Sequence, residues 1–186
     1  MKKVIGLIIA VFVIGAMVVL MFKMNTNEEK PSVATDQQEK VIGLDRGNTP
    51  PDFELTTFDG EVIKLSELKG KKVILNFWAS WCGPCKAEMP HMQNYYENNA
   101  EDDQVEIIAV NMSTQERRGM DGVKEFIDDY GLTFPIPLDE EGAVIQDYGI
   151  MTIPTTYLIG TDGTLAQKII GPMDEKTIRS LVDQLE

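Results

Sequence analysis

Cysteine and histidine are scarce in this chain. Its 186 residues include two cysteines and a single histidine, His91. A structural zinc site usually takes four ligands, so these three residues are too few and no metal site is predicted. Basic residues are also outnumbered, which gives a net charge of -13. Because such a surface repels phosphate, we expect no nucleic-acid partner, and we expect a monomer.

Charge is absent from one long apolar run near the N-terminus. Residues 4–22, VIGLIIAVFVIGAMVVLMF, are nineteen residues without a charged side chain. As a helix they would span roughly 28 Å, close to the thickness of the hydrocarbon core of a bilayer. A cleaved signal peptide would have a shorter apolar region and a small-residue cleavage site, which is missing after Phe22. We therefore predict an uncleaved membrane anchor over residues 1–23.

The charges beside this anchor predict its orientation. Lys2 and Lys3 precede it, and the positive-inside rule places such residues in the cytoplasm. We therefore expect a single-pass protein of the cell membrane, with the bulk of the chain extracytoplasmic. Residues 24–49 lack aromatics and a sustained apolar period, so they predict a flexible linker. Residues 50–186 are long enough for one domain with a hydrophobic core.

Strand and helix patterns alternate in this domain. Residues 53–57 and 61–65 flank a DG turn and predict a β-hairpin. Residues 71–79, KKVILNFWA, and 105–112, VEIIAVNM, are nearly continuous apolar runs, typical of strands that are covered on both faces. The predicted fold class is therefore α/β, with a mixed central β-sheet flanked by helices.

Shorter patterns predict the remaining elements. Proline is poorly placed in a central strand, so FPIPL predicts a short edge strand. In chain order, the other predictions are a helix with Met89, Met92 and Tyr96 inward, a helix over 121–131 with Gly131 as its stop, a helix in EEGAVIQDYG, strands in TTYLIG and TLAQKII, and a C-terminal helix in DEKTIRSLVDQLE.

The two cysteines stand two residues apart in FWASWCGPCKAEMP, residues 77–90. A stabilising staple is a poor interpretation, because closing so short a loop removes little chain entropy. Dithiol chemistry remains. Cys82 lies where the predicted strand meets a helix, and the free amides and dipole of a helix N-terminus favour a thiolate. Gly83 and Pro84 suit the first helical turn. We predict Cys82 as the nucleophile and Cys85, one turn further, as the resolving cysteine.

The motif WCGPC preceded by NFWAS, with Pro90 and the TIPTT segment at 152–156, resembles the thioredoxin superfamily. The resemblance covers the whole predicted domain. It implies that Ile153 and Pro154 are joined by a cis peptide bond that faces the disulfide. The backbone of Ile153 would then pair with an extended substrate segment, and Pro154 would keep metal ions from the dithiol. The resemblance implies no cofactor beyond the redox-active disulfide.

Within that superfamily, the hairpin-led start and the extra strand-helix unit near 105–148 resemble the membrane-anchored ResA/TlpA-like group. This resemblance implies a thioredoxin-like fold with an N-terminal hairpin and a central strand-helix insertion. It implies reduction of disulfides in exported proteins, notably apocytochrome c, with electrons from a membrane protein. Two alternatives stay open: a disulfide-forming oxidase or isomerase, and a copper-binding assembly chaperone of similar fold. Copper-binding chaperones of this fold have three residues between their cysteines and add a distal histidine, whereas this chain has two residues between Cys82 and Cys85.

Two positions depart from the expected patterns. Asn76 stands where thioredoxins have a buried aspartate, and Gly83 stands where the ResA type has an acidic residue, which weakens the case for narrow substrate specificity. Glu88 lies at i+3 from Cys85, on the same side of the helix, and is predicted to exchange protons with the dithiol. The alternative for Glu88 is a solvated glutamate on the helix surface.

Side chains around the cysteines carry the remaining predictions. Trp81, with Gly83 and Pro84, is predicted to form the surface against which a substrate lies. Trp78 belongs either to that surface or to the core. His91 is predicted on the helix surface, and the basic pair at 117–118 in a solvated loop.

Overall fold

The computed structural model describes residues 15–17, 21 and 41–185. Most of the predicted anchor, residues 1–23, and the first part of the predicted linker lie outside these residues. Among the residues that are described, no helix is long and apolar enough to cross a membrane. The chain divides into two compact units, Met1–Glu39 and Lys40–Glu186.

The predicted hairpin forms in the second unit, where strands β1 (Glu54–Thr56) and β2 (Val62–Lys64) pair antiparallel. A separate sheet contains β3 (Lys72–Trp78), β4 (Val105–Asn111), β5 (Thr155–Ile159) and β6 (Leu165–Ile170). Its strand order is β4-β3-β5-β6. Strands β3 and β4 are parallel, whereas β5 is antiparallel to both β3 and β6, so the sheet is mixed, as predicted.

Helices follow the strands in the predicted order. The helices of the second unit are α1 (Gly83–Tyr95), α2 (Gly119–Tyr130), α3 (Ala143–Asp147) and α4 (Glu175–Val182), with 3-10 turns at Leu65–Leu68 and Ser113–Gln115 and a π-helical turn at Tyr96–Ala100. Gly131, with a φ of 57°, ends α2 in the left-handed conformation that glycine adopts without strain, as predicted.

Strand β3 is buried on both faces. Its side chains alternate, so Ile74 and Trp78 enter one core cluster while Leu75 and Phe77 enter another on the opposite face. The first cluster contains buried residues of α1, α2 and α4, and the second contains residues of the hairpin and α3. Asn76 therefore lies on the face of β3 that α1 covers.

Two local predictions need correction. The segment FPIPL forms no regular strand and makes only isolated bridges, from Pro137 to Thr57 and from Leu138 to Asn111. Its two prolines lack amide hydrogens and so cannot donate to a ladder. In α1, Met89 and Met92 are buried as predicted, but Tyr95 completes the buried face, and Tyr96 is only half-buried. Tyr96 packs against the core cluster that contains Ile74 and Trp78, so its inward direction is as predicted and only its burial is incomplete.

Residues 41–49 pack onto the domain, although the sequence predicts a linker up to residue 49. The Gly47 amide donates to the Leu165 carbonyl at 2.7 Å, and the Leu165 amide donates to the Asn48 carbonyl at 2.8 Å. Leu44 packs against the core cluster on the hairpin side. These backbone bonds satisfy the first residue of the edge strand β6 and extend the ordered unit toward the N-terminus.

Replacing Leu44 with alanine tests this packing. We expect Leu44→Ala to lower the free energy of unfolding by about 1 kcal/mol, because a half-buried leucine loses part of its apolar contact. Urea unfolding of the full chain in detergent measures the change. Val41→Ala is the control, since the Val41 side chain is 63% exposed. Equal stability of both variants and the parent chain would show that these residues contribute nothing to the folded domain.

Candidate active site

Cys82 and Cys85 form a disulfide at the start of α1. Cys82 is the N-cap of the helix, and its sulfur accepts a hydrogen bond from the Cys85 amide at 3.1 Å. Gly83 and Pro84 are exposed in the first turn, whereas Cys85 is fully buried. This arrangement supplies a thiolate at Cys82 with a backbone hydrogen-bond donor and shields the second sulfur.

The loop before β5 faces the disulfide. The bond between Ile153 and Pro154 is a cis peptide, and the Ile153 carbonyl oxygen lies 3.7 Å from the Cys82 sulfur. Pro154 is buried and Ile153 is half-buried. The structure thus brings together the cysteines and the cis-proline segment, which are about 70 residues apart in the sequence. In the described part of the chain, no three His, Cys, Asp or Glu side chains converge as metal ligands would.

Glu88 lies inside the protein, which excludes the solvated alternative. Its side chain is completely buried. Asn76 donates from Nδ2 to Glu88 Oε2 at 3.0 Å, and the Met173 amide donates to Oε1 at 3.0 Å. Asn76 Nδ2 also donates to the Thr156 hydroxyl at 2.9 Å. Asn76, which stands where thioredoxins have an aspartate, therefore positions the carboxyl group of Glu88.

Burial controls the protonation of this carboxyl group. Loss of water around Glu88 raises its pKa from the usual 4.5 to about 7, and the hydrogen bonds from Met173 and Asn76 lower it by less. A group with this pKa gains and loses a proton near neutral pH. Glu88 also lies one turn beyond the buried Cys85 on the same helix.

The two tryptophans have different surroundings. Trp78 belongs to the core: it is fully buried, its Nε1 donates to the Ala109 carbonyl at 3.1 Å, and its ring stacks at a tilt on Phe126. Trp81 is half-buried beside Cys82, and its Nε1 donates to the Gln115 carbonyl at 2.9 Å. Trp81 is therefore the tryptophan available to a substrate.

The loop after β4 completes this surface. Arg117 lies over the Trp81 ring, with its guanidinium carbon 4.3 Å from the ring centroid. The Glu116 carboxylate accepts hydrogen bonds from the Ser80 amide at 2.7 Å, the Ser80 hydroxyl, and the Asn111 side chain at 2.8 Å. These bonds join the loop to the turn that precedes the cysteines.

Sequence reasoning missed several of these residues. Thr156 and Met173 contribute through tertiary contacts with the Asn76 and Glu88 side chains. Thr156 ends the TIPTT segment, but the sequence gives no sign of its contact with Asn76, and no local pattern marks Met173. Arg117 is exposed, as the solvated-loop prediction states, but its position over Trp81 has no signal in the sequence. Gly83 has open space where a β-carbon would stand, so its position would accommodate the larger acidic residue of the ResA type.

The buried carboxyl group predicts a pH-dependent stability. Because the Glu88 pKa is higher in the folded state, folding is favoured most below pH 4.5, and that contribution is lost as the pH rises through about 7. The loss is about 3 kcal/mol. The oxidised chain is used because its cysteines form a disulfide and do not titrate. We expect its urea unfolding to show this fall in stability between pH 4.5 and 8, and we expect Glu88→Gln to lack the fall.

The change of the unfolding free energy with pH is compared, and not its absolute value, because glutamine also changes the hydrogen bonds with Asn76 and Met173. Glu101→Gln is the matched control, because Glu101 is exposed. It should retain the fall in stability. Parallel curves for the parent chain and Glu88→Gln would contradict the raised pKa.

Comparison with known proteins agrees with this geometry. Residues 47–168 match the AhpC/TSA family. The chain is 40% identical over 145 residues to the thioredoxin-like protein YneN of Bacillus subtilis, covering 78% of this chain and 83% of YneN. It is 37% identical over 143 residues to the thiol-disulfide oxidoreductase ResA of the same organism, covering 77% of each.

Solved structures show the same fold. StoA from Bacillus subtilis superposes with a TM-score of 0.63 at 39% identity, covering 70% of this chain and 96% of StoA. The exposed lipoprotein thioredoxin Etrx1 of Streptococcus pneumoniae gives 0.62 at 33% identity, covering 73% of this chain and 100% of Etrx1. The resemblance to ResA-like thioredoxins is confirmed. The chain belongs to the AhpC/TSA family of thioredoxin-like proteins and is a thiol-disulfide oxidoreductase.

Proposed function

We propose that this oxidoreductase is tethered to the membrane and reduces disulfides in exported proteins, such as apocytochrome c, outside the cytoplasm. The observation that carries the proposal is the position of the Cys82–Cys85 pair beside the cis-proline loop, with the buried carboxyl group of Glu88 one turn further. The uncharged run at 4–22 and the lysines before it support the tether and its orientation.

In the reduced protein, the Cys82 thiolate attacks one sulfur of a substrate disulfide. The substrate disulfide breaks, one substrate sulfur leaves as a thiolate, and the other joins Cys82 in a mixed disulfide. Glu88 then accepts the proton of the Cys85 thiol, and the Cys85 thiolate attacks the Cys82 sulfur. The second substrate thiolate leaves and takes up a proton. Two electrons have moved to the substrate, and the Cys82–Cys85 disulfide remains.

The surface beside the disulfide is suited to an extended polypeptide. The half-buried Ile153 offers backbone groups, and Trp81 offers an apolar face next to the nucleophile. The oxidised enzyme must then be reduced again, and a membrane protein that carries dithiol electrons from the cytoplasm would supply them. An oxidase would use the same residues in reverse. The reduction potential decides between the two directions.

Trapping tests the nucleophile and identifies the partner. We expect Cys85→Ser to accumulate a mixed disulfide between Cys82 and its substrate in cells, because no second thiol resolves it. Non-reducing gels and mass spectrometry would detect this adduct. Cys82→Ser is the matched control and should capture nothing and lose turnover. Equal capture by both variants would contradict the assignment of the nucleophile.

The reduction potential tests the direction. We expect a value closer to about -270 mV, as in thioredoxin, than to about -120 mV, as in a strong disulfide oxidase. Equilibration with glutathione buffers measures it, and the reduced enzyme should reduce an oxidised CxxCH peptide. A potential near that of the oxidase, together with net oxidation of the reduced peptide, would contradict the proposed reduction and indicate that the enzyme forms disulfides.

The pH dependence of turnover tests the proton acceptor. If Glu88 takes the Cys85 proton, the rate at which the mixed disulfide resolves should rise as the pH passes through about 7. Glu88→Gln should lose this rise and resolve the mixed disulfide roughly ten to a hundred times more slowly, near the lower limit for general base catalysis. Rapid-quench measurements on a peptide mixed disulfide determine the rate. Glu101→Gln should behave as the parent, and an unchanged profile for Glu88→Gln would exclude the role.

A further inference from the structure

An arginine beside the disulfide has no charge partner in the described part of the chain. Arg117 contacts the Trp81 ring, but among residues 41–185 its side chain forms no ion pair and no hydrogen bond. Several other basic residues in this range also form no ion pair, so the place of Arg117 is what sets it apart. It lies over the ring of Trp81, the residue before Cys82.

The neighbouring charged residues are engaged elsewhere. The Glu116 carboxylate accepts its hydrogen bonds from Ser80 and Asn111. Arg118 forms an ion pair with Glu125 on α2. Glu116 therefore does not neutralise the charge of Arg117, and Arg118 does not place a second positive charge at the Trp81 ring.

The loop that carries Arg117 is joined to the segment just before the nucleophile. Trp81, the residue before Cys82, is held by its hydrogen bond to the Gln115 carbonyl. Glu116 joins the same loop to Ser80. A guanidinium that stacks on a ring through its face keeps its in-plane N–H groups available, and these match the two oxygens of a carboxylate.

We infer that Arg117 is a specificity-determining residue that binds a carboxylate of the substrate. The favoured substrates carry Asp or Glu within about three residues of the disulfide, a span of about 10 Å in an extended segment. The rest of the acidic domain repels such a substrate, so Arg117 selects where along the polypeptide the enzyme reacts. The inference rests on the proposed function in one respect, that the substrate is a polypeptide disulfide.

Matched peptides test this inference. Two oxidised dithiol peptides differ only in Glu or Gln beside a cysteine, and the full chain in detergent exchanges with each. We expect the parent enzyme to react about three to five times faster with the Glu peptide at low salt. Arg117→Gln should abolish the preference, and Arg117→Lys should retain part of it. In about 1 M salt, where the Debye length is about 3 Å, the preference should largely disappear.

Arg118→Gln is the control, because its parent side chain is paired with Glu125. It should keep the full preference. The inference is overturned if Arg117→Gln keeps the rate ratio, or slows both peptides equally, which would mean that Arg117 only supports Trp81. The ratio of the exchange rates of the Glu and Gln peptides can be measured whether the enzyme reduces or oxidises the peptides. A failure of the proposed reductive function therefore appears as net oxidation and leaves the test of Arg117 intact.

Discussion

The burial of strand β3 on both faces determines where the reactive groups lie. Alternation along the strand directs Leu75 and Phe77 to one core cluster and turns Asn76 toward α1. A short turn over residues 79–81 joins the strand to α1, so Cys82 becomes the helix N-cap. Because α1 packs back along the same strand, Glu88 meets the Asn76 amide inside the protein. One packing constraint thus places both the Cys82 sulfur at the helix N-terminus and the buried carboxyl group of Glu88 further along the same helix.

The protein accepts a loss of stability at this carboxyl group. Two hydrogen bonds stabilise the charged form of Glu88, yet desolvation outweighs them and the pKa rises to about 7. Replacing Glu88 with an uncharged residue would remove this cost to folding at neutral pH. It would also remove the group that we propose as the acceptor of the Cys85 proton. A solvated glutamate would be ionised at every pH at which thiols react, and so would have little tendency to hold a proton. The cost to folding and the capacity for proton exchange have the same physical origin.

Local patterns predicted much of the fold, and they predicted the centre of the site. The apolar run of β3 and the spacing of Cys82 and Cys85 are properties of short segments, so the strand, the helix start and the reactive pair could be located. The i+3 position of Glu88 placed it on the correct side of α1. Its burial could not be foreseen, because it arises from tertiary packing, and one of the groups that contact its carboxylate is the amide of Met173, 85 residues away in the sequence. The prediction of an edge strand in FPIPL was wrong, because two prolines in five residues leave too few backbone donors for a regular ladder.

The proposed proton acceptor and the proposed substrate contact lie in different surroundings. Glu88 lies in the core and is held by backbone and side-chain groups that no substrate reaches, whereas Arg117 lies on the surface over Trp81. A change in the surface loop can therefore alter the surface beside the disulfide without moving Glu88. In the proposed mechanism, exchange needs a thiolate, a resolving thiol and a base, and the residues proposed for these roles are held in the core. With the chemistry fixed there, charged residues in the loop after β4 are the part of this site that can vary to match a substrate.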